Sequence, residues 1–322
     1  MSFKRAILLV NLGTPDQPTA SAVRKFLARF LSDSRVVEIP KIIWQFILRC
    51  IILPLRCRRV AKQYQSIWLK DGSPLAVITR SQAESLAQRI SSAAQPSTAV
   101  FYAMTYGKPS IQETLDKIVT EGNDSVTVLP LYPQYSATTT AAVFDQIANH
   151  FQRRRLLPEL RFIRDYHDNP VYISALAASI REFRRDNGAA DVLLMSFHGI
   201  PAINIEKGDP YRAQCEKTAK LLADALDLSN DAWQISFQSR FGRTEWIKPY
   251  TTDIVLDLAA AKKSIDVVCP AFSADCLETL YEIQLEIREQ YLAAGGTAFN
   301  YIPCLNDRDD HIELMQILGN IA

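Results

Sequence analysis

The chain has 322 residues, 48% of them hydrophobic and 22% charged, with a net charge of +1. This is more than one hydrophobic core usually fills, so two domains of a globular protein are expected. The charge leaves no electrostatic footprint for nucleic acid, and the start, Met1-Ser-Phe-Lys-Arg5, lacks a signal-peptide pattern, so a cytoplasmic protein without a nucleic-acid partner is expected.

Residues 6–10 are predicted as a strand ending at Gly13-Thr14-Pro15, and 19–31 as a helix with Val23, Phe26, Leu27 and Phe30 on its apolar face. The apolar run 39–55 is interrupted by Gln45 and Arg49 and is followed by Arg56, Arg58, Arg59 and Lys62. It is too short and too polar to cross a bilayer, which takes about 20 apolar residues. Two readings stay open for it. One is a core helix. The other is an exposed amphipathic lip touching a membrane surface or a large flat ligand. Next come a helix over 81–92, a strand over 99–104, and a helix over 110–120 with Ser110 and Glu113 as a capping box. A strand over 125–130 and a helix over 138–153 follow. The second half repeats the scheme, with strands over 161–164, 191–197, 233–238, 264–269 and 301–303. Its helices fall over 170–185, 210–225, 251–261, 274–293 and 309–318.

This alternation predicts an α/β fold with two Rossmann-like doubly wound lobes, each a parallel sheet flanked by helices, and an active-site cleft between them. The expected domains are 1–165 and 166–305, with a C-terminal helix in 306–322 packing back on the first. No nucleotide-binding glycine motif occurs, and the six cysteines form no C-x-x-C pair, which argues for reduced thiols and against a cysteine-held metal.

Four runs with chemical content sit where predicted strands end, the edge at which open α/β sheets bind ligands. In Asp191-Val-Leu-Leu-Met-Ser-Phe-His-Gly-Ile-Pro201, a buried strand ends at His198 and a loop opens. That histidine moves a proton or binds a metal, or it is a loop residue with an ordinary hydrogen bond. After the strand at 264–269, Asp275, Glu278, Glu282 and Glu286 put four carboxylates on one face of the predicted helix. Like charges so spaced repel. They form either a solvated acidic face or a path for a divalent cation or protons. Leu129-Pro-Leu-Tyr-Pro-Gln-Tyr-Ser-Ala-Thr-Thr-Thr140 reads as an aromatic and polar rim, or as a turn and helix cap. In Phe237-Gln-Ser-Arg-Phe-Gly-Arg-Thr-Glu-Trp246, Ser239, Arg240 and Arg243 suit carboxylates and Trp246 suits a flat ligand; the alternative is a surface loop with one buried tryptophan. Together the runs suit a flat, apolar, carboxylate-bearing ligand and a divalent metal.

With these motifs the chain resembles the ferrochelatases over nearly its whole length. The resemblance rests on Val10-Asn-Leu-Gly-Thr-Pro15, Gly72-Ser-Pro74, Leu131-Tyr-Pro-Gln-Tyr-Ser136, Ser196-Phe-His-Gly199, Lys207-Gly-Asp-Pro-Tyr211, Phe237-Gln-Ser-Arg240 and Asp275-Cys-Leu-Glu-Thr-Leu280. It implies insertion of Fe2+ into protoporphyrin IX, the last step of haem synthesis, with iron as substrate and no tightly bound cofactor. By motif match, His198 and Glu278 are the catalytic and metal-facing residues, and Asp275, Glu282 and Glu286 continue an acidic conduit on a helix that the family partly distorts to π. Arg56, Arg59, Tyr64, Ser73 and Ser239 match positions that approach the porphyrin propionates. Leu12, Tyr135, Trp246 and Phe272 are further expected porphyrin contacts, and 42–55 matches a hydrophobic lip that in some members meets the membrane. Leu12 stands where the coproporphyrin-using branch has tyrosine, which favours protoporphyrin. Ala137 stands where iron–sulfur-containing members have cysteine, and their cysteine-bearing C-terminal extension is missing, so no cluster is expected. Cys276 stands where some members have histidine. The alternatives are another tetrapyrrole chelatase, such as one loading cobalt into sirohydrochlorin, or a non-catalytic porphyrin carrier.

Overall fold

The structure, a computed structural model, describes residues 3–92, 98–242 and 244–319. These divide into two compact units. One comprises Met1–Tyr132, Ser136–Asp165 and Asp307–Ala322, and the other Pro133–Tyr135 and Tyr166–Asn306.

The first unit is built on four parallel strands, β1 (Arg5–Asn11), β2 (Thr98–Met104), β3 (Ser125–Pro130) and β4 (Glu159–Phe162), in the order β2-β1-β3-β4. β1 after Arg5 and all of β3 are buried, and mostly apolar, because helices cover both faces of the sheet. Their Leu8, Val10, Val126 and Val128 pack with Ile111, Leu115 and Ile118 of the helix Ile111–Thr120. That helix opens with the expected capping box. The Ser110 hydroxyl accepts the Glu113 N–H at 3.2 Å, and Glu113 accepts the Ser110 N–H at 3.0 Å. The helix Asp309–Gly319 belongs to this unit too. Its Asp309 and Gln316 each lie 2.9 Å from Arg89 of the helix Pro74–Ser92.

The apolar run after residue 39 becomes the helix Lys41–Ile47, a π-turn at Leu48–Ile52 and the helix Leu53–Ile67. The π-turn has a cause in the sequence. Pro54 lacks an N–H and crowds the preceding turn of an α-helix. Widening that turn, with Leu53 N–H bonded to the Leu48 carbonyl five residues back, accommodates it. Trp44, Leu48 and Leu53 face the core, whereas Ile42, Phe46 and Leu55 are 89%, 67% and 74% exposed. The segment is thus amphipathic, with one apolar face buried and another exposed, and is not a core helix. Among the described residues, no helix is long and apolar enough to cross a membrane.

The second unit has β5 (Val192–His198), β6 (Trp233–Gln238), β7 (Ile265–Val268) and β8 (Phe299–Tyr301), all parallel, in the order β6-β5-β7-β8. The chain leaves β5 toward β6 on one side and later returns to β7 on the other. The switch point therefore lies between the carboxyl ends of β5 and β7, where doubly wound sheets leave a crevice. Several predicted elements shift: in the first unit the strand expected over 161–164 lies at 159–162, and the helix expected over 81–92 begins at Pro74. The last strand lies at 299–301 rather than 301–303, and the helix expected over 274–293 begins only at Leu277, as a π-helix to Ile287, then continues as Arg288–Ala293.

Candidate active site

His198 ends β5, opposite Gln238 in register on β6. Gly199 follows because nothing larger fits. A Cβ there would lie 2.7 Å from the Gln238 carbonyl oxygen and 3.1 Å from the Trp246 ring. The Gly199 N–H uses that closeness, donating to the same carbonyl at 2.8 Å. His198 Nδ1 lies 2.6 Å from the Gly199 carbonyl oxygen. A carbonyl only accepts, so Nδ1 carries the hydrogen and Nε2 presents its lone pair. The rings of Trp246 and Phe272 stand 6.3 and 6.2 Å from the imidazole, centroid to centroid. Burial holds the imidazole below its ordinary pKa, while the Glu278 charge and the Gly199 carbonyl pull it back up. The site thus holds a neutral base beside a carboxylate that stabilises its protonated form.

Glu278 sits in the first turn of the π-helix. Gln238, buried on β6, holds its backbone: Nε2 donates to the Glu278 carbonyl at 2.9 Å, and Oε1 accepts the Ser196 hydroxyl at 2.9 Å. One turn on, Glu282 accepts the Ser239 N–H at 2.6 Å and its hydroxyl at 2.5 Å. Ser239 is aimed there by a left-handed backbone, with φ of 66°. Burial nevertheless pushes the Glu282 carboxyl up to about 7, helped by the charges of Glu278 and Glu286 and opposed by the Ser239 hydrogen bonds. Burial also pushes the Cys276 thiol well up, and the adjacent Glu278 adds to the effect, so it stays an S–H and not a thiolate ligand.

Asp275 departs from expectation. It lies before the helix, and its 5%-exposed side chain turns away into a cage of donors. Oδ1 accepts the hydroxyls of Thr279, at 3.0 Å, and Tyr301; Oδ2 accepts the Asn306 amide at 2.7 Å. The acidic row on the helix is therefore Glu278, Glu282 and Glu286, all partly buried, rather than four residues. Ser239, expected at a propionate, gives its hydroxyl hydrogen to Glu282. Arg240 lies 4.8 Å from the Tyr250 ring centroid, and Arg243 falls outside the described residues. Tyr135 is half-buried, its N–H donating to Gln214 at 2.6 Å. The second unit thus brings together His198, Trp246, Phe272, Glu278, Glu282 and Ser239.

The remaining expected contacts belong to the first unit. Leu12 is half-buried on the loop after β1, its N–H bonded to Asn11 Oδ1 at 2.9 Å. Ser73 is buried, its hydroxyl accepting the Ala76 N–H at 3.3 Å at the start of the helix Pro74–Ser92. On the helix Leu53–Ile67, Tyr64 is buried edge-on to Trp68, Arg59 is exposed, and Arg56 is half-buried. Burial and the neighbouring Arg59 lower the Arg56 pKa.

Gln238, Gly199 and the donors around Asp275 were not singled out from the sequence. Only the glycine after a strand-ending histidine left a local signal. The others depend on strand register and on residues some thirty positions downstream. Among the described residues, no group of three or more His, Cys, Asp and Glu side chains could hold a metal ion.

A family model described as Ferrochelatase matches residues 4–320. A protein named Ferrochelatase from Herminiimonas arsenicoxydans is 51% identical over 319 residues, which is 99% of this chain and 86% of that protein. Ferrochelatase 1 from Shewanella oneidensis is 50% identical over 97% of this chain and 94% of its own. Solved structures with a similar fold include SirB from Bacillus subtilis with Fe3+ (TM-score 0.57, 12% identity, covering 97% of this chain and 93% of that one). CbiX, the terminal enzyme for siroheme biosynthesis in denitrifying bacteria, is another (TM-score 0.53, 15% identity, 99% of this chain and 100% of that one).

Proposed function

The chain belongs to the ferrochelatase family, and from that premise we propose that it inserts Fe2+ into protoporphyrin IX, releasing two protons and forming protohaem. The observation that carries the residue assignment is His198 at the carboxyl edge of β5, neutral, with Nε2 unoccupied by its own backbone and Glu278 beside it. Metal insertion needs two pyrrole N–H protons removed and the ring bent so that its nitrogen lone pairs meet the metal. We assign the first task to His198. Nε2 accepts a pyrrole proton, and the Glu278 carboxylate stabilises the imidazolium. Glu282, poised near neutrality, passes protons on toward Glu286. Phe272 and Trp246 form an aromatic wall that favours a distorted ring, closer to the transition state than a flat one. Arg56 and Arg59 are the cations proposed for the propionates. The lip is proposed to touch a membrane surface through Ile42, Phe46 and Leu55, with Lys41 and Arg49 near anionic headgroups.

An anaerobic assay with protoporphyrin IX and Fe2+ or Zn2+, followed by absorption, tests the reading. Catalytic metalloporphyrin formation is expected, and stoichiometric binding without turnover would instead mean a carrier. His198→Ala should abolish turnover while porphyrin still binds. Retained turnover would overturn the role given to His198. The fold likeness to SirB and CbiX, at 12% and 15% identity, does not extend to their substrates.

A further inference from the structure

A proton or iron path needs carboxylates that can exchange partners. Asp275 cannot do so without dismantling its surroundings. The Asp275 N–H donates to Asn306 Oδ1 at 2.8 Å while Asn306 Nδ2 donates to Asp275 Oδ2 at 2.7 Å, a reciprocal two-point pair. Asn306 holds this position with φ of 49°, a left-handed conformation that asparagine tolerates better than most residues. Its own N–H is bonded to the Ser273 carbonyl at 3.1 Å, so it grips the turn from two sides. The other Asp275 oxygen accepts Tyr301 and Thr279, and the Cys276 N–H donates to Thr279 Oγ1 at 3.0 Å. Thr279 follows Glu278 directly. The Glu278 backbone is thereby held from two directions, by Gln238 through its carbonyl and by the Asp275 cage through Thr279.

We propose that Asp275 and Asn306 form a latch that fixes the start of the π-helix and so aims Glu278, making both positioning residues. Asp275 then acts through geometry and carries neither protons nor metal. The inference rests on the role given to Glu278 above.

Exchanging the pair distinguishes a latch from a conduit. Asp275→Asn alone sets two amide nitrogens against each other. Adding Asn306→Asp restores one carboxylate facing one amide, while Oδ1 of residue 275 still accepts Tyr301 and Thr279. The single variant should lose roughly 10- to 100-fold in kcat for Zn2+ insertion into protoporphyrin IX, the usual cost of disturbing a partner that orients a metal-site ligand. The exchanged pair should return to within a few-fold of the unaltered protein and recover its unfolding midpoint. Asn306→Gly keeps the left-handed backbone and removes only the amide, so it should lower kcat while KM for the porphyrin holds. Recovery of stability without recovery of kcat would overturn the inference, because the carboxylate at 275 itself would be needed. So would an exchanged pair no more stable than either single variant, or wild-type kcat in Asn306→Gly. If Glu278→Gln turns over normally, the role of Glu278 fails and the latch loses its catalytic meaning. If Glu278→Gln is inactive and the exchange fails, only the latch falls.

Discussion

Replacing Glu282 by glutamine should make the second unit's stability less dependent on pH, by an amount the site geometry sets. In the folded chain the Glu282 carboxyl keeps its proton up to about 7, against 4.5 for the ordinary group. Between those values the folded state binds more protons than the unfolded one, so stability falls as pH rises, and it is level outside that window. At about 1.36 kcal/mol per pH unit the gap amounts to about 3 kcal/mol, of which about 2.5 kcal/mol falls between pH 5 and pH 8. Glutamine removes this ionisation, but its amide nitrogen then faces one of the two Ser239 donors, at a cost of about 1 kcal/mol at every pH. Glu282→Gln should therefore be near neutral at pH 5 and stabilising by about 2 kcal/mol at pH 8, or roughly 4–8 °C in Tm for a unit of this size. Urea and thermal unfolding of both proteins at the two pH values measure it. A difference that is the same at pH 5 and pH 8 would refute the reasoning. Glu282 would then ionise like any surface carboxylate and could not relay protons near neutrality.

Two further outcomes follow from close approach and exposure. Gly199→Ala should destabilise by about 1–3 kcal/mol, because the new methyl meets the Gln238 carbonyl oxygen at 2.7 Å and a backbone oxygen cannot swing away. It should also lower kcat by displacing His198, and unchanged turnover and stability would remove Gly199 from the site's architecture. Ile42→Asp should change stability by no more than about 0.5 kcal/mol, since the side chain is 89% exposed, while weakening co-sedimentation with anionic vesicles. A large loss of stability would mean the lip is packed rather than presented.

What the sequence disclosed divides by range. The capping box at Ser110 and Glu113 was legible because both partners lie within one turn. The strands were legible because apolar runs with helices on both faces have few other fates. His198 was legible as a strand-ending residue. The start of the acidic helix was not. Residue spacing put Asp275 on the helix, but Asn306 and Tyr301, thirty-one and twenty-six positions on, draw it into a cage and delay the first helical residue to Leu277. Tertiary hydrogen bonds overrode local pattern there. The same holds for Ser239. Its match to a propionate contact came from a motif, and nothing local announces that a left-handed backbone turns both its donors onto Glu282.

The surroundings of the acidic row favour the second of the two readings the sequence left open, the path we propose. A solvated acidic face would leave its carboxylates in water, with the i,i+4 repulsion screened by salt. Here the row is partly buried and its members sit in unlike surroundings. Glu278 is bonded to the Cys276 thiol and its charge is felt by His198, Glu282 is gripped by two donors yet pushed up to about 7, and Asp275 has left the row altogether. Burying like charges this way costs stability, as the Glu282→Gln prediction quantifies, and folding alone would favour replacing them. Partly buried carboxylates, one of them held near neutrality, beside a base with its pKa lowered by burial make physical sense where protons must leave a site as a cation enters it. Metal insertion into a porphyrin makes that demand.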